Sequence, residues 1–196
     1  MFSFIRNLIR NSKNKLPDFR KYSKIPRFSR ECIITEKIDG TNAQILITED
    51  NKVYAGSRKR WITPGKQTDN YGFAQWVKTY EKELLKLGPG RHFGEWFGKG
   101  INRNYRLQDK YFVLFNVHFW NSLEDKPNCV GVVPVIIEGI MSSELIETAI
   151  DKLECKGSYL VPGFMNPEGI VIHHCASNRL FKKTIVGDDS PKKKGV

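Results

Sequence analysis

The sequence predicts an α+β fold of mostly antiparallel strands, and three observations carry that reading. Short β-branched and apolar runs recur from residue 31 onward, several of them separated by turn signals. Past the N-terminal segment, only two stretches place apolar residues at helical spacing over several turns. Strand-turn-strand therefore dominates, without the strict alternation of a parallel α/β sheet. At 196 residues, 40% apolar and 12% aromatic, the chain can fill one core, and a single domain over 1–196 is expected.

The first 17 residues, MFSFIRNLIRNSKNKLP, hold four basic and no acidic side chains, with Phe4, Ile5, Leu8 and Ile9 at helical spacing. A short basic helix is expected there, within a basic N-terminal segment 1–25; a targeting peptide is the alternative, without the cleavage site of a secretory signal. Pro17 and Pro26 punctuate the approach to the first strand. ECIITEK, AQILIT and KVYAGS then read as strands, the last two forming a hairpin around Glu49-Asp50-Asn51. Phe73, Trp76, Val77, Tyr80, Leu84 and Leu87 line one face of a helix expected over Tyr71 to Leu87. Asp69 or Asn70 can cap its start, and Gly88-Pro89 ends it. YFVLFNVHFW reads as a strand from Tyr111, and VPVIIEG as another. A second amphipathic helix follows Ser142 and runs to Lys156, stopped by Gly157. EGIVIHH and LFKKTIV are the last strands, and residues 188–196 form a polar tail.

Charge and cysteine usage narrow the function classes. Thirty-two Lys and Arg against 21 Asp and Glu give a net charge of +11, which favours a polyanionic partner such as nucleic acid or nucleotide phosphates. No apolar run approaches the roughly 20 residues that cross a bilayer, so no membrane partner is expected. Cys32, Cys129, Cys155 and Cys175 lie far apart with no CxxC pair. That argues against a disulfide scaffold or zinc knuckle, and for a reducing, cytoplasmic setting, with nuclear or organellar targeting left open.

Chemistry concentrates in a few segments. In Glu36-Lys37-Ile38-Asp39-Gly40-Thr41-Asn42, a lysine ends a strand where the chain turns, and Gly40 permits close backbone approach. A lysine amine is a nucleophile only when unprotonated, which nearby cations or desolvation promote. The plain alternative is a type I′ hairpin turn at Asp39-Gly40 beside a surface lysine. Other segments follow in order: Ser57-Arg58-Lys59-Arg60, Phe93-Gly94-Glu95-Trp96, Tyr111 to Phe115, Pro167-Glu168-Gly169-Ile170-Val171-Ile172 and Leu180-Phe181-Lys182-Lys183.

This ordered set, over about residues 20 to 187, resembles the covalent nucleotidyltransferase superfamily of polynucleotide ligases and mRNA capping enzymes. It is most similar to the ATP-dependent RNA ligase family. The resemblance implies a nucleotidyltransferase domain of mainly antiparallel sheets with flanking helices around a nucleotide cleft. It implies that Lys37 attacks the α-phosphorus of ATP to form lysyl-AMP, and that Lys182 touches the same phosphate and helps keep Lys37 deprotonated. Arg58 would help place the phosphate, Glu95 would bind the ribose hydroxyls, and Phe115 would stack on adenine. Glu168 would organise a Mg²⁺ or Mn²⁺ ion, a hard-oxygen site. Glu36 and Lys183 complete the implied nucleotide-binding set. The implied partner is RNA with a 5′-phosphate and a 3′-hydroxyl, and a nicked duplex is kept open.

The sequence departs from that family in three places. Its closing motif often reads Lys-x-Lys, whereas here Lys182-Lys183-Thr184 leaves the second lysine either shifted to the opposite strand face or replaced by Thr184. Asn116-Val117 stands where an aspartate is common. No OB-fold or separate C-terminal domain is expected, so a partner supplying a nucleic-acid-binding domain stays open. Gly94 to Gly100 resembles a phosphate loop with one residue too few and no Ser or Thr after the lysine. His173, His174 and Cys175 are adjacent in a strand and alternate in direction, so they cannot share a metal. Trp61 and Trp96 are candidates for base stacking or for core packing in equal measure. The other functions kept open are a nucleotidyltransferase acting on DNA nicks or RNA caps, and a non-catalytic nucleic-acid-binding module.

Overall fold

A computed structural model describes residues 16–122 and 126–188. In chain order the elements are β1 (Glu31–Lys37), β2 (Thr41–Ile47), β3 (Val53–Ser57), β4 (Trp61–Ile62), α1 (Phe73–Thr79), α2 (Glu81–Leu84) and a 3₁₀ turn (Leu85–Leu87). There follow β5 (Gly90–Gly98), β6 (Lys110–Leu114), α3 (Val117–Asn121), β7 (Val130–Val132), β8 (Val135–Ile140), α4 (Ser143–Lys156), β9 (Gly169–His174) and β10 (Arg179–Thr184). Two sheets result, one ordered β10-β9-β1-β8 and the other β4-β3-β2-β5-β6-β7. Every pairing is antiparallel except β6 with β7. The α+β expectation holds.

Alternation along the strands builds the layers. Cys32, Ile34, Ile170 and Ile172 pack with Ala149, Ile150 and Leu153 of α4. The opposite face of β1 offers Ile33, which joins Phe97 and Val113 of the larger sheet in a second core with Ile38, Tyr105 and Phe164. On the far side of the larger sheet, Ala43, Ile45 and Ile47 pack with Phe73, Val77 and Leu84. The two sheets thus share a core, with helices outside.

Several local readings hold, and several need correction. Asp69 caps α1, its Oδ1 accepting from Ala74 N at 2.8 Å and its Oδ2 from Gln75 N at 3.0 Å. The expected 71–87 helix is broken, however: Tyr80 leaves helical geometry (ψ 14°) and separates α1 from α2. The strand expected from Tyr111 stops at Leu114, because Asn116 Oδ1 accepts from Phe119 N and caps α3, turning Val117 and Trp120 inward. Ser142 and Gly157 bound α4 as expected. Glycine-rich β5 lies in the middle of the larger sheet, where the sequence suggested no strand. The type I′ hairpin at Asp39-Gly40 is absent, since β1 and β2 belong to different sheets and the chain crosses between them there. The basic helix expected at the N-terminus lies outside the described residues, as does nearly all of the polar tail. No described helix is long and apolar enough to cross a membrane.

Candidate active site

The crossing from β1 to β2 places Lys37 where the sheets meet. Gly40 makes the crossing possible: a Cβ there would overlap the Trp96 carbonyl oxygen and lie 2.9 Å from Phe97 Cβ. The Lys37 amine donates to Glu168 Oε2 and forms an ion pair with it, at side-chain exposures of 19% and 4%. Glu168 sits immediately before β9, whose Gly169 pairs with Lys37. A Cβ on Gly169 would strike the Lys183 carbonyl, so glycine lets the three strands close up beside the amine.

Glu95 enters from β5 and is 7% exposed. Its Oε2 accepts from Asn42 Nδ2 at 2.8 Å. Burial pushes its carboxyl up to about 7, while the Asn42 hydrogen bond and the Lys37 charge pull the other way and Glu168 adds to the rise. The protonated form is therefore favoured in the folded state, and stability from this group is present at low pH and lost as pH climbs through about 7. Glu95→Gln should thus gain on wild type by an amount growing between pH 5 and pH 8, on the order of 3 kcal/mol at the top. Denaturant melts of both proteins at each pH check it; a gap that stays constant would remove the titration.

A loop after β5 braces the segment that follows Lys37. Asn102 Nδ2 donates to Asp39 Oδ1 at 2.9 Å and to the Gly40 carbonyl at 2.7 Å. Arg103 Nε lies 3.0 Å from Asp39 Oδ2 as an ion pair whose N–H is not aligned for a hydrogen bond. Arg103 also donates to Asn166 Oδ1 at 2.9 Å, two residues before Glu168. The Asp39 N–H donates to the Tyr105 hydroxyl oxygen at 2.8 Å. Asn102, Asn104, Tyr105 and Arg106 all take left-handed backbone conformations, so the brace is held in a strained loop. The glycines that resemble a phosphate loop precede this brace: Gly94 and Gly98 belong to β5, and Gly100 N donates to Asn104 Oδ1 at 3.1 Å.

Register sorts the remaining candidates. Lys182 stands opposite Val171, and Thr184 opposite Gly169, which faces Lys37 across β9. Residues two apart share a strand face, so Lys182, Thr184 and Lys37 point to one side. Lys183 stands opposite Ile170 and, through it, Glu36, on the side packed by α4. Glu36 and Lys183, expected in the nucleotide-binding set, are thus separated from Lys37 by the sheet itself. Glu36 is instead buried, its Oε2 accepting from Tyr159 N at 2.8 Å and Leu160 N at 3.0 Å. Burial raises its carboxyl and those hydrogen bonds oppose the rise. Thr184, rather than Lys183, shares the strand face of Lys182.

Phe115 follows β6 at the face of Glu95, half-exposed, its N–H donating to the Phe93 carbonyl. Arg58 is exposed in the turn between β3 and β4. Trp96 is 2% exposed in the core, while Trp61 is 48% exposed. Sequence reasoning assigned no role to Asn42, Asn102 or Arg103. The two Asn of the 102–104 stretch were a signal for left-handed turns, whereas the partners of Asn42 and Arg103 depend on register. Among the described residues no group of three or more His, Cys, Asp or Glu could hold a metal alone. One or two carboxylates with substrate phosphates and water suit Mg²⁺, and Glu168 with Glu95 nearby fits that chemistry.

The family model described as RNA ligase matches residues 30–184. Solved structures of a Naegleria gruberi RNA ligase share the fold. A lysine variant with ATP and Mn superposes at a TM-score of 0.59 and 18% identity, over 92% of this chain and 53% of that one. A glutamate variant with AMP and Mn gives 0.60 and 18%, over 86% and 57%. An apo lysine variant gives 0.60 and 19%, over 92% and 53%. The chain therefore spans about half the length of these relatives. No curated protein sequence matches it significantly.

Proposed function

The chain belongs to the RNA ligase family, and we propose that it is an ATP-dependent RNA ligase acting through lysyl-AMP at Lys37. The observation that carries this reading is an amine at the sheet junction in contact with buried Glu168 and within the electrostatic reach of buried Glu95. Relatives of the same fold hold ATP or AMP with Mn, which supports ATP and a divalent cation, Mg²⁺ or Mn²⁺, as cofactors here.

The unprotonated Lys37 Nζ attacks the α-phosphorus of ATP. The phosphorus–nitrogen bond forms as the bond to the bridging oxygen breaks, pyrophosphate leaves, and the Nζ proton passes to solvent. An oxygen of an RNA 5′-phosphate then attacks that phosphorus, the phosphorus–nitrogen bond breaks, and Nζ regains a proton. Finally an RNA 3′-hydroxyl attacks the activated 5′-phosphorus, loses its proton and displaces AMP. Glu95, oriented by Asn42, accepts from the ribose hydroxyls, and its negative form is the stronger acceptor. Phe115 stacks on the base, while Arg58 and Lys182 face the phosphates. When bound, the divalent cation neutralises phosphate charge, and Glu168 is the residue that would hold it.

Incubation with α-labelled ATP or GTP and Mg²⁺, followed by denaturing electrophoresis and peptide mass mapping, tests this. Label from ATP at Lys37, with none from GTP, is expected. Label from neither nucleotide sinks the proposal, and label from GTP alone moves it to cap formation.

A further inference from the structure

Beyond the Glu95 row, the same face of the larger sheet carries a region that the adenylation chemistry leaves unused. Gln44 pairs with both Phe93 and Gly56, and Gly56 pairs with Trp61, so these four side-chain positions form one row. Glu95 and Asn42 form the row on one side of it; Arg91, Leu46 and Tyr54 form the row on the other. The Glu95 row and the Arg91 row are four residues apart along β5, about 13 Å at strand rise. A single sheet face therefore runs from the proposed ribose site outward to β3 and β4.

That face is open and aromatic. Trp61, Tyr54 and Phe93 are all exposed. The Trp61 and Tyr54 ring centroids lie 6.1 Å apart. The Arg91 guanidinium sits 5.2 Å from the Trp61 centroid, held there by its hydrogen bond to Gln44 Oε1 at 2.9 Å. Gly56 keeps the surface flat: a Cβ would stand 2.7 Å from Gln44 Cγ and 3.1 Å from the Trp61 ring. Beside Trp61 the turn carries Arg58, Lys59 and Arg60, all exposed. The β2–β3 turn carries two acidic residues, Glu49 and Asp50, the second of which is paired with Lys52.

Rigid aromatic planes with an ordered guanidinium, bordered by cations, match a chain of π-faces joined by phosphates. We propose that Trp61, Tyr54 and Arg91 form a stacking platform for unpaired bases of the RNA strand that reaches the Lys37 site. This rests on RNA being the substrate. Stacking reads base faces rather than base edges, so the platform tolerates any sequence and demands unpaired nucleotides.

Fluorescence anisotropy with a 5′-phosphorylated single strand of about 12 nucleotides, in Mg²⁺ without ATP, is the test. Trp61→Ala and Tyr54→Ala should each weaken binding by about tenfold, Trp61→Phe by little, and Phe119→Ala, an exposed aromatic on α3, not at all. A strand lacking its bases should bind weakly and show no difference between wild type and Trp61→Ala. Equal affinity in wild type, Trp61→Ala and Tyr54→Ala overturns the platform, as does a wild type that holds the strand with and without bases equally. A face that binds a protein while leaving RNA untouched overturns it too. The α-labelled ATP reaction, run on the same variants, separates the two readings. Retained label with unchanged strand binding removes only the platform; absent label in wild type removes the adenylation step and leaves the binding result to stand.

Discussion

Lys37→Ala is expected to abolish covalent labelling by α-labelled ATP, a loss of at least about 10³-fold, because Lys37 is the amine that meets Glu168 at the sheet junction. The nearest other lysine on that sheet face, Lys182, lies two strands away across β9. Lys37→Arg should be equally inactive, since a guanidinium stays protonated and carries no free nitrogen lone pair. Folding should survive, because the side chain lies at the edge of the shared core rather than in it. The atom balance adds a sharper expectation. Lysine takes part in forming and in breaking the phosphorus–nitrogen bond but not in the final attack by the 3′-hydroxyl. Lys37→Ala should therefore still seal RNA that is supplied already adenylated at its 5′ end. Loss of both reactions would mean that the residue organises the site rather than carrying the nucleotide.

Much of this site was legible because it is written in short local strings. Lys37, Glu95 and Glu168 each sit in a segment whose residues announce a turn, a glycine contact or a strand edge, and their order could be read without coordinates. What stayed hidden depends on pairing between distant strands. Whether Lys183 or Thr184 faces the amine is fixed by the match of Thr184 with Gly169, a relation across the sheet. The same register turns Glu36 toward α4, which no inspection of Glu36-Lys37 could reveal. Central strand β5 escaped notice because Gly90, Gly94 and Gly98 dilute its β-forming residues. Gly94 is nonetheless required there, since a Cβ would meet the Val113 carbonyl and the Phe112 ring. Asn116 ended a strand that its aromatic neighbours seemed to prolong, a case of one capping side chain outweighing a run of propensities.

Glu168→Gln separates two roles that act on the rate with opposite sign. In the nucleotide-free protein the carboxylate holds the Lys37 amine in an ion pair and so occupies the nitrogen that must attack. If holding the amine were its whole purpose, the glutamine variant, with the amine released, would form lysyl-AMP faster than wild type. If the carboxylate serves the phosphate and its cation, removing the charge leaves the developing negative charge at phosphorus less well balanced, and labelling slows. The second effect should win, by about 10²–10³-fold, since electrostatic stabilisation of the transition state outweighs the release of one ion pair that solvent partly screens. Raising the Mg²⁺ or Mn²⁺ concentration should recover part of the rate in Glu168→Gln and none in Lys37→Ala. The two roles can also act in sequence: the carboxylate engages the amine in the nucleotide-free protein, and a cation arriving with the phosphates would draw the carboxylate away and free the amine when there is a phosphorus to attack. The rate of labelling in each variant, measured across a range of cation concentrations, reads this directly, and a glutamine variant that labels as fast as wild type throughout would leave the Lys37–Glu168 contact without a part in the chemistry.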